Sequence, residues 1–279
     1  MQNAKNFLRS VTLATAVVAA GLLSLISCNP DEEVAVSKEM GPISEEIKAQ
    51  FTNLGFDVSD IARAEGGYLL EGDILVTPKA LDNMLSSDPV IVNGPEGEQY
   101  RTFNLVSRNL RTIRIRATSN QTRFLRAIDR AIYNYNQLGL TFSMVRVASN
   151  QPAEITVRLT SNTSFLGSAG FPTGNGLPWN DILISTAAFN GDDDSVEETV
   201  THEIGHCVGL RHSDWYDRSL SCGGGSVNEE EPPSGVGAVG IRGTVQFDRE
   251  SLMNSCGAIT SDPSGEFSFY DEVALRELY

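Results

Sequence analysis

Tryptophan and histidine are the scarcest side chains in this chain of 279 residues, with two and three copies, and cysteine and lysine follow with four each. Four cysteines leave room for few bridges, so the fold must rest on a hydrophobic core. Basic residues are also scarce: 21 Lys and Arg stand against 36 Asp and Glu, for a formal charge of -15. That balance excludes a nucleic-acid partner, because phosphate contacts need clustered Lys and Arg. Internal repeats and low-complexity tracts are absent, which removes solenoid architectures. What is present is ordinary. The 41% hydrophobic and 20% charged residues suit one or two soluble domains with real cores.

The apolar stretch from Val11 to Ser27 is short for a membrane-spanning helix and follows Lys5 and Arg9, the layout of an export signal. It ends in Leu25-Ile26-Ser27-Cys28, which resembles the bacterial lipobox cut before a diacylated cysteine. The resemblance implies a signal peptide over 1–27, a lipid anchor on Cys28, an acidic tether over 28–40, and residence on a bacterial outer membrane, facing either periplasm or surface. A disulfide is permitted there. Of the three other thiols, Cys222 and Cys256 lie in Gly- and Ser-rich loops that can bend to meet. Cys207 falls within a helical stretch and reads as a small buried apolar residue.

Beyond the tether the chain divides at about residue 100. Residues 41–100 carry a helix start at Ser44, where the hydroxyl can cap and Ile47 begins an apolar stripe. A strand over 67–76 and a helix over 78–85 follow. From Arg101 the pattern is α+β. A strand over 111–117 alternates Ile113 and Ile115 with arginines. A helix over 124–138 places Phe124, Ile128, Ala131, Ile132 and Tyr135 on one face and stops at Gly139. Strands are expected at 141–147, 155–159 and 182–185, with an edge strand and loop over 167–179.

All three histidines fall within eleven residues. In His202-Glu203-Ile204-Gly205-His206-Cys207-Val208-Gly209-Leu210-Arg211-His212, a spacing of four puts His202 and His206 on one helical face. Gly209 can take a positive φ, end the helix and bring His212 back to the same point. Three imidazoles with one open position is the donor set of a catalytic zinc ion, and Glu203 sits where it can reach a water held there.

These residues resemble the extended signature of metzincins, most closely the bacterial HEIGH metallopeptidases, with a Met-turn candidate in Ser251-Leu252-Met253-Asn254. The resemblance implies an α+β zincin domain over 101–279: a twisted mixed sheet, a long backing helix, the active-site helix, the Met-turn with Met253 under the metal, and a closing helix over 268–279. It also implies a zinc endopeptidase acting on protein or peptide, with a zinc-bound water and Glu203 as general base. Substrate would join the sheet edge near 166–171. Astacin-like relatives carry a tyrosine where this chain has Ser255, so no oxyanion donor is assigned.

Leu70-Glu71-Gly72-Asp73-Ile74 resembles the astacin-like propeptide motif, which implies that Asp73 ligates the zinc in a latent precursor and that a cut between about Gly94 and Arg101 activates it. Asp192, Asp193 and Asp194 are candidate calcium ligands, though three acids at a helix start also suit its dipole. Two other function classes stay open: a surface binding lipoprotein with a structural zinc, and a hydrolase of a non-peptide amide in glycan or cell wall. Oligomeric state has no signature.

Overall fold

A computed structural model describes residues 42–86, 99–225, 237–259 and 264–279. Cys28 and the leader lie outside the described residues. The N-terminal segment begins with α1 (Glu45–Asn53), whose first turn is capped by Ser44, its Oγ accepting from the Ile47 amide at 3.3 Å. Three short strands follow, β1 (Ala62–Ala64), β2 (Gly67–Leu70) and β3 (Ile74–Val76), as an antiparallel sheet in that order. The unbroken strand expected over 67–76 is a hairpin instead. Glu71 and Gly72 both take positive φ, 55° and 91°, and the chain reverses so that Leu70 faces Ile74. Alternating apolar residues on both sides hide such a reversal, and Gly72 is its one local signal. Helix α2 (Pro78–Leu85) is capped by Thr77 and opens on Pro78. The segment's core is small: Phe51, Leu54, Phe56, Tyr68, Leu70, Ile74, Val76 and Leu81, completed by Phe171 from beyond it.

The remainder forms the body. Strand β4 (Tyr100–Arg101) precedes β5 (Thr112–Ala117), α3 (Thr122–Gln137), β6 (Ser143–Val147), β7 (Ile155–Thr160), β8 (Gly167–Ser168) and β9 (Asp181–Ser185). After a 3-10 turn (Thr186–Asn190) come α4 (Asp193–Cys207), α5 (Ser219–Cys222), β10 (Val239–Gly240) and α6 (Phe269–Leu278). The main sheet runs β6-β5-β7-β9-β8, parallel except for β8, which pairs antiparallel with β9 at the edge. Period-two alternation sends Ile113, Ile115, Ile155, Val157, Ile182 and Ile184 to one face. There they meet Phe124, Ile128, Ala131 and Tyr135 of α3 and Val196, Val200 and Ile204 of α4 in one core. Each such side chain contributes about 1.5–3 kcal/mol on burial, which fixes α4 against the sheet.

Residues 99 and 100, assigned by composition to the preceding segment, are built into the body. Strand β4 pairs with β10, Arg211 N donates to Tyr100 O at 2.8 Å, and Gln99 Nε2 donates to Ser251 Oγ at 3.0 Å. The acidic start of α4 is likewise occupied. Asp192 caps the helix by accepting from Ser195 N, Asp193 pairs with Arg123 and Arg126, and Asp194 with Arg130. Calcium therefore has no support at these three acids.

Candidate metal centre

Helix α4 carries His202, Glu203 and His206 into the interior, all buried. The helix stops at Cys207, and Gly209 turns the chain at φ 104°. A side chain at 209 would meet Leu105 Cδ2 at 2.8 Å, so both conformation and space call for glycine there. The turn returns His212 to the other two rings, with centroids 5.4 Å from His202 and 4.9 Å from His206.

Each helix imidazole is aimed by a backbone carbonyl. His202 Nδ1 donates to Leu252 O at 2.6 Å and His206 Nδ1 to Leu210 O at 2.9 Å. A carbonyl can only accept, so the proton sits on Nδ1 and the Nε2 lone pairs point into the centre. The Met-turn lies beneath. Met253 is fully buried, and a Cβ on Gly205 would stand 2.5 Å from its Sδ. The glycine inside the helical motif thus makes room for the methionine. Asp271, at the start of α6, holds the turn by accepting from Ser251 Oγ at 2.6 Å and Leu252 N at 2.8 Å. Burial pushes its carboxyl up to about 6.

The fourth member comes from the N-terminal segment. Asp73 Oδ2 lies 3.3 Å from His202 Nε2 and 3.2 Å from His212 Nε2, and Oδ1 lies 3.9 Å from His206 Nε2. All four donor atoms lie within 4.8 Å of one another. His202 Nε2, His206 Nε2 and Asp73 Oδ1 are buried without a hydrogen-bond partner. Convergent lone pairs left unpaired in a dry site are costly, and a dication would satisfy them together. Three nitrogens and a carboxylate oxygen are a donor set that would suit zinc. Burial opposes the Asp73 charge, yet His212, then His202, hold its carboxyl well below the usual range. Burial, then the Asp73 charge, pushes the Glu203 carboxyl well above its usual range. Burial and the neighbouring His202 keep His206 neutral.

Three residues that sequence patterns passed over bind the segment to this centre. Glu71, 1% exposed, pairs with Arg211, fully buried, at 3.4 Å. Arg211 immediately precedes His212, and its guanidinium lies over Trp215. Arg218 pairs with Asp60 at 3.2 Å and Asp57 at 3.7 Å. Adjacency to a candidate ligand was the only local hint for Arg211. Asp214 is buried and accepts from Ser255 N and Oγ and from Ser221 Oγ, tying the loop after His212 to the one after Met253. Cys222 and Cys256 are bonded in the same cluster, and Cys207 is free and buried. A cleft of about 990 Å³ opens between α2 and the 171–181 loop. Phe171 lines it and packs edge-on against His206.

No curated protein matches the chain. Among solved structures it is similar to myroilysin (13% identity, TM-score 0.40, covering 62% of this chain and 96% of that one). It is also similar to high choriolytic enzyme 1, a hatching enzyme zinc-protease from the medaka fish Oryzias latipes (15% identity, TM-score 0.39, 63% and 92%). At that identity the assignment rests on the sequence pattern of the dual-action HEIGH metallo-peptidase family, which matches residues 68–279. The match takes in β2, β3 and α2 as well as the body, and it makes the chain a member of the HEIGH metallo-peptidases.

Proposed function

We propose that the chain is a zinc endopeptidase made as a latent precursor, with Asp73 as the latch and Glu203 as the general base. The observation that carries the reading is the Asp73 carboxylate set among the three Nε2 atoms where a scissile carbonyl and its attacking water must meet. The segment also occupies the sheet edge. Leu75 N donates to Ala169 O at 2.7 Å and Ala169 N to Asp73 O at 3.1 Å, the pairing a bound peptide would need. Held by His202, His206 and His212, zinc would supply a Lewis acid that acidifies water and polarises a carbonyl. Glu203 takes the proton of the attacking water and delivers it to the leaving amine. The Leu252 carbonyl keeps the His202 ring in place.

Activation then requires a cut ahead of Gln99, since residues 99–102 are stitched into the body. In this proposal the segment ends before Gln99, a lipid on Cys28 tethers the uncut precursor outside the cytoplasm, and the Cys222–Cys256 disulfide supports that location. The test measures zinc content and peptide cleavage in the full chain, in the chain cut ahead of Gln99, and in Glu203→Ala of each. Zinc in all four, with cleavage only by the cut wild type, is the expected result. Equal cleavage before and after the cut would remove latency and leave the peptidase. Zinc without cleavage of any peptide would favour a binding lipoprotein or a non-peptide amide substrate.

A further inference from the structure

Among the described residues, Glu203 has no hydrogen-bonded partner of the kind that commonly orients a general base. Its Oε2 is buried and no described residue bonds to it. Contact orients it instead. Gly167, the first residue of edge strand β8, lies directly against the carboxylate: a Cβ there would stand 2.2 Å from Oε1 and 2.7 Å from both Cδ and Cγ. A displaced oxygen alone could swing aside, but Cγ and Cδ cannot leave without moving the whole side chain, and Glu203 is only 2% exposed. Gly167 is not among the glycines of positive φ, and it pairs with Ile184 in ordinary strand register. Its backbone freedom is therefore unused. A strand glycine of this kind is less favourable than alanine and marks a close approach.

We infer that Gly167 is a positioning residue for the general base: its missing side chain lets the peptide-binding edge close onto Glu203 and sets where the carboxylate stands. The inference rests on the proposed role of Glu203. Two residues further along, Ala169 makes the backbone pairs with the segment. One short strand thus aligns both the base and the chain it acts on. A shift of either by about 1 Å costs on the order of a hundredfold in rate.

Two readouts test this. The first is a melting cycle on the full chain with Gly167→Ala, Glu203→Ala and both. Gly167→Ala should lower Tm by several degrees when Glu203 is present, and by less than half as much in the Glu203→Ala background. An equal drop in both backgrounds would overturn the contact. The second is kinetics after the cut ahead of Gln99. Gly167→Ala should lose about 10- to 100-fold in kcat, with zinc content unchanged and KM within about twofold. Wild-type kcat, or a rise in KM alone, would overturn the positioning role. A cut wild type that holds zinc and cleaves nothing would overturn the endopeptidase reading, and this role with it, whatever the melting cycle shows.

Discussion

The N-terminal segment and the body are held by different forces. The body packs the apolar faces of its helices into one core drawn from β5, β7, β9, α3, α4 and α6. It adds a buried polar frame around Asp271 and Asp214 and an exposed Cys222–Cys256 bond. The segment gathers eight apolar side chains around Phe171, and Ala64, Leu69 and Leu75 form a second small cluster with Phe165 and Leu183 of the body. It also holds on through ion pairs, a buried one of Glu71 with Arg211 and outer ones of Asp57 and Asp60 with Arg218 and of Glu65 with Arg158. Exposed pairs of that kind contribute little, while a buried one such as Glu71–Arg211 is costly to break from one side. A part with a small core and a few charged anchors is suited to leave as a unit once its covalent link is cut. A part with a continuous core stays folded.

That contrast can be broken or sharpened in order of effect. Cutting ahead of Gln99 should raise peptide cleavage at least about a hundredfold, the ratio between a competent state populated at 1% and one that dominates. Activity would be read on an unstructured peptide. Asp73→Ala in the uncut chain should raise cleavage only about tenfold, a typical single-contact coupling, because Ala169 is still paired with the segment. Full activity from that variant would show that the edge pairing is idle. Replacing Cys222 and Cys256 by serine should cost the body about 2–4 kcal/mol, read as a fall of roughly 5–15 °C in its melting step. Release of the segment would be unaffected.

Glu71→Gln should leave the body's melting step in place and speed cutting ahead of Gln99 a few-fold, as seen by timed proteolysis. No change would mean that Asp73 alone holds the segment. The smallest effect concerns Glu197, which pairs with Arg130 and accepts from Asn134 Nδ2 at 2.9 Å. Burial pushes its carboxyl from 4.5 up to about 7. A raised carboxyl favours the protonated folded state, so its contribution is present below pH 4.5 and is lost as pH rises toward 7. Melting of Glu197→Gln should therefore improve relative to wild type by about a few degrees across that window. Parallel curves would show that Arg130 compensates the charge.

Local signals carried much of this. The spacing of His202, Glu203 and His206, the stop at Gly209 and the apolar face of α3 are all encoded by neighbours along the chain. A helix repeats about every 3.6 residues whatever surrounds it. The hairpin at Glu71 escaped the same logic, because apolar residues run through both of its strands and only Gly72 marks the reversal. The roles of Gly205 and Gly167 were also invisible locally. A glycine required for space looks like any other until the atom that would be struck, Met253 Sδ or Glu203 Oε1, is placed beside it.

By itself the sequence determined that three histidines and a glutamate share one helix and its turn, and which chemistry that donor set can support. The propeptide-like motif named Asp73 as a partner, but no local rule could place it. Only the tertiary structure set its carboxylate, 139 residues before His212, against the imidazoles. It also put Glu71 on Arg211 and closed a bare strand edge onto Glu203. Short-range periodicity follows from backbone geometry, whereas these meetings follow from how separate surfaces pack once each has formed.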